Sequence, residues 1–179
     1  RLAKKDSTIW GPAAQAEASV RLNWIDLPES SRDLLPALDA LYAKHRDKSN
    51  VVLCGMGGSS LGPEVIALTY KKDIFIFDST DPNYAHHAIG SDLAKTVVVV
   101  SSKSGSTIET SSQRTLFQSQ FESAGLNPVD HMLFVTDPGS PLDSETRAAG
   151  FTVVNADPNV GGRFSALSAF GVVPAVLAG

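Results

Sequence analysis

Apolar positions along the chain fall into two regimes. Through the first 50 residues they recur at helical intervals without forming continuous runs. Asp6 to Thr8 reads as a helix start, an alanine-rich helix is predicted over 12–22, and a second helical run over 30–48. From Val51 onward, short β-branched or aromatic runs predict strands at 51–54, 74–77, 97–100, 132–135 and 151–154. Between them lie segments of helical length at 63–70, 82–89, 107–124 and 141–149, several opening on proline near the first turn. Strands that are apolar at successive positions, not alternate ones, belong to a sheet covered on both faces, and crossover helices provide that cover. The expected fold is therefore α/β: a doubly wound, five-stranded parallel sheet flanked by helices over 51–179, preceded by a helical lead-in over 1–50.

The chain begins at Arg1 and stops at Gly179 inside an apolar stretch, 166–178. It reads as an excised fragment, truncated at its C-terminus, and exposed apolar surface on that stretch, with a tendency to self-associate, is the expectation. Hydrophobic residues make up 42% and charged residues 19%, which excludes a disordered tail and a disulfide-built mini-scaffold. With 15 Lys+Arg against 19 Asp+Glu and a net charge of −4, there is no electrostatic footprint for nucleic acid, so any bound anion must be held locally. No apolar run approaches bilayer length and no signal pattern opens the chain, so no membrane partner is expected. The single cysteine, Cys54, forbids an internal disulfide and any zinc site built from several thiolates, which points to a reducing, cytoplasmic setting.

In an open parallel sheet the ligand crevice lies at the carboxyl ends of the strands. After the first predicted strand comes Gly55-Met56-Gly57-Gly58-Ser59-Ser60-Leu61-Gly62-Pro63, whose glycines let backbone N–H groups approach a ligand beside the Ser59 and Ser60 hydroxyls. A dinucleotide fingerprint would need glycine at position 60, and a Walker A loop would need Gly-Lys-Ser/Thr, so neither is present. Asp78, at the end of the second strand, fits either a turn residue or the ribose-binding acid of a nucleotide enzyme. After the third strand comes Ser101-Ser102-Lys103-Ser104-Gly105-Ser106-Thr107-Ile108-Glu109-Thr110. Ser106 and Glu109 have capping-box spacing, so a long helix is predicted from Thr107 with its positive end facing the loop. A cluster of hydroxyls and free amides there suits a phosphate monoester, whose three acceptor oxygens can engage several donors at once. After the fifth strand, Gly161-Gly162-Arg163 places a permanent cation at a third strand end; alone, Arg163 fits equally a surface salt bridge.

Gly55 to Pro63, Ser102 to Thr110 and Gly161 to Gly171 together resemble the glucose-6-phosphate isomerase family, the third segment most specifically. The first two alone resemble the wider sugar isomerase (SIS) superfamily. The Trp10-Gly11-Pro12 lead-in is similar to a bacterial branch that also occurs fused to transaldolase. The resemblance implies interconversion of glucose 6-phosphate and fructose 6-phosphate through an enediolate, without metal or other cofactor, in a homodimeric full-length protein. It implies that Ser102, Ser104 and Thr107 hold the phosphate with the Lys103 amide, that Gly58 and Ser59 border the sugar, and that Arg163 is the catalytic cation. It also implies a glutamate base, a histidine and a lysine from segments beyond the Gly-Gly-Arg signature, so the chain alone is expected to bind without turnover. A non-catalytic SIS-type sugar-phosphate sensor is the alternative.

Other chemistry-bearing residues have simpler readings. Glu109 is expected beside the phosphate, away from the reacting carbons. His86 and His87 read as exposed, His45 and His131 lack convergent partners, and Cys54 reads as a small core residue. Trp10 and Trp24 are expected to pack the lead-in onto the body, and Lys71-Lys72 to be a solvated helix end.

Overall fold

The computed structural model describes residues 1–179. Three helices precede the sheet: α1 (Pro12–Arg21), the single turn α2 (Leu27–Ser30) and α3 (Leu35–His45). The expected start at Asp6 is a 3-10 turn, capped by the Asp6 carboxylate accepting the Thr8 N–H. The helical run expected over 30–48 is broken at its N-terminal end by a 3-10 turn at Ser31–Leu34, and Pro36 opens the regular helix.

Strands β1 (Asn50–Gly55), β2 (Phe75–Phe77), β3 (Thr96–Ser101), β4 (Met132–Thr136) and β5 (Thr152–Asn155) form one parallel sheet in the order β2-β1-β3-β4-β5. Helices α4 (Gly58–Tyr70), α5 (Pro82–Ile89), α6 (Ile108–Ser123) and α7 (Pro141–Ala148) are the crossovers, and α8 (Ala169–Ala178) follows. The chain leaves β1 in one direction to reach β2 and returns past it to β3. Right-handed crossovers then send α4 to one face and α5, α6 and α7 to the other. Strand residues sort by parity: Val51, Leu53, Val97, Val99, Leu133 and Val135 face α3 and α8, joining Leu38, Leu41, Phe170 and Val173. Val52, Cys54, Val98, Val100, Met132 and Phe134 face the other way, onto Phe117 and Phe121 of α6 and Leu142 of α7. The apolar strand runs are thus two interleaved core faces.

Three expectations are corrected. Pro63 does not open its helix; α4 begins at Gly58 and carries Pro63 inside it. As the sixth residue of α4, Pro63 leaves the Ser59 carbonyl without its ladder bond. The capping box at Ser106 and Glu109 does not form: Thr107 is the N-cap residue, and the Ser106 hydroxyl bonds to Ser104 Oγ at 3.0 Å. Most of the terminal apolar stretch is covered, because α8 buries Ala169, Phe170, Val173 and Leu177 against the sheet and α3, and within it only Leu167 is an exposed large apolar side chain. Exposed apolar side chains stand on α4 instead, at Leu61, Val65, Leu68 and Tyr70. No helix is long and apolar enough to cross a membrane.

Candidate functional site

Strand order reverses between β1 and β3, and these two strands pair in register from Asn50–Thr96 to Gly55–Ser101. Their carboxyl ends therefore deliver the 55–59 and 101–107 loops side by side, at the switch point where doubly wound sheets leave a crevice. Each loop runs into a helix without a side-chain cap. Gly57, with φ +60° and ψ −121°, turns β1 into α4. Gly105, with φ +70°, turns the second loop back toward α6, in a conformation that L residues rarely adopt. The first bond of α6 runs from the Ser111 N–H to the Thr107 carbonyl at 3.0 Å, so the amides of Ile108, Glu109 and Thr110 carry no intrahelical bond. Two positive helix ends thus face one hollow.

The loop at the end of β3 is held by its own hydroxyls. Ser102 Oγ accepts the Gly105 N–H at 3.2 Å and lies 3.3 Å from Thr107 Oγ1, while Ser104 Oγ accepts the Ser106 N–H at 3.2 Å. Loop residues from across the sheet close the hollow. A Cβ on Gly58 would lie 2.2 Å from the Gly162 carbonyl oxygen, so the start of α4 touches the Gly161-Gly162-Arg163 turn backbone to backbone. That turn is pinned from below by the buried Ser165, whose hydroxyl donates to the Gly162 carbonyl at 2.7 Å.

The resulting cavity of about 430 Å³ brings together Gly58, Ser59, Ser102, Lys103, Ser104 and Thr107. Arg163 stands beside this cavity. It lies exposed in none of the ion pairs, which sets aside the salt-bridge reading, and it lines an adjoining cavity of about 660 Å³ with Trp24 and Phe164. Gly58, Lys103 and Gly162 border both hollows, so Arg163 stands next to the hydroxyl cluster and not within it. The Trp24 and Phe164 rings stack at 5.2 Å, fixing the turn against the lead-in, and Trp10 is half exposed on the same wall. Trp24 packs the lead-in as expected.

Two residues of this cavity had no warning in the sequence. Arg21, from α1, lines both hollows and donates to the Pro158 carbonyl at 2.7 Å. Asp137, just past β4, pairs with Lys103 Nζ at 2.6 Å, both side chains about four-fifths buried. Only long-range proximity identifies them, since Arg21 and Pro158 are 137 positions apart.

The remaining candidates stay outside. Asp78 belongs to the turn leading to α5, where Asp81 caps the helix by accepting the Asn83 and Tyr84 N–H groups. His86 and His87 are exposed, and His87 lines a hollow with Ser49 and Asp73 at the opposite end of the sheet. Cys54 is fully buried, and burial pushes its thiol well above the ordinary range, which silences it as a nucleophile. His45 is 3% exposed with neither ring nitrogen bonded, and burial first, then Lys44 and Lys48, lower it to about 4, so it is neutral near pH 7. His131 stacks on Phe121, its Nδ1 2.9 Å from the Thr96 carbonyl oxygen.

No family model matches the chain. It is 37% identical over 151 residues to glucose-6-phosphate isomerase of Chlamydia muridarum, an alignment that covers 80% of this chain and 28% of that protein. The crystal structure of a glucose-6-phosphate isomerase from Chlamydia trachomatis superposes with a TM-score of 0.72 at 30% identity, over 96% of this chain and 33% of that one. A hypothetical protein from Thermus thermophilus gives a TM-score of 0.81 at 28% identity, over 99% of this chain and 43% of that one. The chain thus spans less than half the length of each of these relatives.

Proposed function

We propose that this chain, which belongs to the glucose-6-phosphate isomerase family, is the phosphate-gripping SIS domain of a sugar-phosphate isomerase. The observation that carries the proposal is the convergence of Gly58, Ser59, Ser102, Lys103, Ser104 and Thr107 on one hollow between two uncapped helix starts. Ser104 and Thr107 hydroxyls, the Lys103 N–H and the free amides of α6 donate to the phosphate oxygens. Ser102 holds the loop and offers its own hydroxyl. Each charge-assisted bond is worth about 1.5–3 kcal/mol before desolvation, so several are needed to take a dianion from water. Gly58, which leaves no room for a side chain, and Ser59 border the sugar.

In the whole protein the domain serves the interconversion of glucose 6-phosphate and fructose 6-phosphate by proton transfer between the first two carbons. Negative charge develops on the enediolate oxygens, and the unpaired Arg163 guanidinium beside the phosphate hollow stabilises that state more than the neutral sugar. The one carboxylate that lines the cavity of Arg163, Glu17, is paired with Arg21 at 2.8 Å, and the base comes from outside this chain. No cofactor enters the reaction. The full-length protein is a cytoplasmic homodimer, a setting that the lone, buried Cys54 supports.

Calorimetry of the purified chain with glucose 6-phosphate, fructose 6-phosphate and glucose tests this reading. Both phosphosugars should bind and glucose should not, and Ser104→Ala should weaken phosphosugar binding about tenfold or more, matching the loss of one charge-assisted bond. A coupled assay should find no fructose 6-phosphate formed by the chain alone. Equal binding of glucose would refute the phosphate grip, and turnover would place the base inside these 179 residues. Tight, exclusive binding of a different phosphosugar would favour the sensor reading.

A further inference from the structure

Two loops and the lead-in meet at a single carbonyl. Pro158 O, on the segment that leads from β5 to Arg163, accepts from Arg21 Nη1 at 2.7 Å and from Lys103 Nζ at 3.4 Å. Lys103 is anchored in turn by Asp137 at 2.6 Å, and the Asp137 N–H reaches the Lys103 carbonyl at 3.4 Å. Arg21 is braced by Glu17 at 2.8 Å, one helical turn back. Asn23 Nδ2 donates to Asp157 at 2.7 Å, and Leu22 bridges Val160 on the same segment. The phosphate loop, the β4 exit and the Arg163 segment are therefore locked in one arrangement by two cations sharing one acceptor.

We infer that Asp137 and Arg21 are positioning residues: Asp137 diverts the Lys103 ammonium from the anion hollow to the Pro158 carbonyl, and Arg21 secures that carbonyl from the lead-in. With the Arg21 and Lys103 cations both turned onto the Pro158 carbonyl, hydroxyls and amides are left to meet the phosphate, and the lysine serves as a strut to the Arg163 segment. Two consequences separate this role from general support of the fold. Without the Asp137 charge, Lys103 is free to swing onto a bound anion and a repelling carboxylate is gone, so phosphate binds more tightly. At the same time the Arg163 segment loses its strut and opens more often. A residue that merely held the fold together would weaken both.

The inference takes its ligand from the proposed function, but one of its two readouts does not. Asp137→Asn keeps the shape and removes the charge; Asp137→Glu restores it. Calorimetry with inorganic phosphate should show Asp137→Asn binding about threefold tighter or more, the size expected of one unit charge at the rim of a wet cleft, with Asp137→Glu returning toward the parent. Hydrogen exchange, with no ligand present, should show the Val160 and Phe164 amides exchanging at least about tenfold faster in both Asp137→Asn and Arg21→Met, while the β3 amides keep their protection. Unchanged or weaker phosphate binding in a folded Asp137→Asn would overturn the diversion of Lys103. Unchanged exchange in both variants would overturn the strut. If the parent chain binds no phosphate, the proposed function fails, and the exchange readout still decides the strut.

Discussion

Gly58→Ala is the sharpest test of how the site is assembled. The backbone there is ordinary helix, so alanine adds no torsional strain, and in an isolated helix it would gain up to about 1 kcal/mol over glycine. Here the added Cβ would sit 2.2 Å from the Gly162 carbonyl oxygen and 2.8 Å from its carbon, both backbone atoms that cannot rotate away. Either α4 or the Gly161-Gly162-Arg163 turn must move by about an ångström, and overpacking of this kind costs about 1–3 kcal/mol. Since Ser165 bonds that same carbonyl and Trp24 stacks on Phe164, the turn cannot yield without breaking those contacts. Net destabilisation of about 1–2 kcal/mol in urea unfolding is expected, with a clear loss of phosphosugar affinity. Gly161→Ala is the control: its nearest neighbour would be the Phe164 ring at 3.6 Å, and it should change stability by less than about 0.5 kcal/mol. A neutral or stabilised Gly58→Ala with parental affinity would refute the contact between the two loops on which the site depends.

Further outcomes follow from individual side chains. Gly105→Ala should destabilise the chain by about 1–3 kcal/mol in the same assay, because alanine there meets both a φ of +70° and the Leu142 Cβ at 2.8 Å. His45 should make the chain acid-sensitive. Its folded value of about 4 lies below the ordinary 6.5, so the unfolded chain binds the proton first, and stability falls as pH drops from about 6.5 toward 4, by up to about 3 kcal/mol. His45→Leu should flatten that part of the urea-midpoint profile. Cys54 should react with a disulfide reagent only as fast as the chain opens, and reaction at the rate of a free thiol would contradict its burial.

The sheet was legible because its strands are runs such as Val97 to Val100, where β-branched residues at successive positions admit few other structures. The three candidate loops followed from the strand ends, since the topology puts them all on one edge of the sheet. What failed was local punctuation. Pro63 looks like a helix opener, yet Gly57 had already turned the chain, and α4 was under way five residues earlier. Ser106 and Glu109 have capping spacing, but Gly105 tightens the loop so that Ser106 turns to Ser104 and the helix starts one residue late. Burial of α8 was hidden because an apolar stretch without polar positions gives no sign of its cover until α3 and the sheet are seen against it. Arg21 and Asp137 could not have been found, because pairing across more than 100 residues for one and 34 for the other leaves no pattern in the local sequence.

A dianion held at the junction of β1 and β3 is read directly by amide chemical-shift mapping with inorganic phosphate. Titration should shift the backbone amides of Lys103, Ser104 and Thr107 and those opening α6, with smaller shifts at Gly58 and Ser59 and none at His87 on the opposite edge. Saturating phosphate that leaves the 102–110 amides unmoved, or moves a different set, would contradict it.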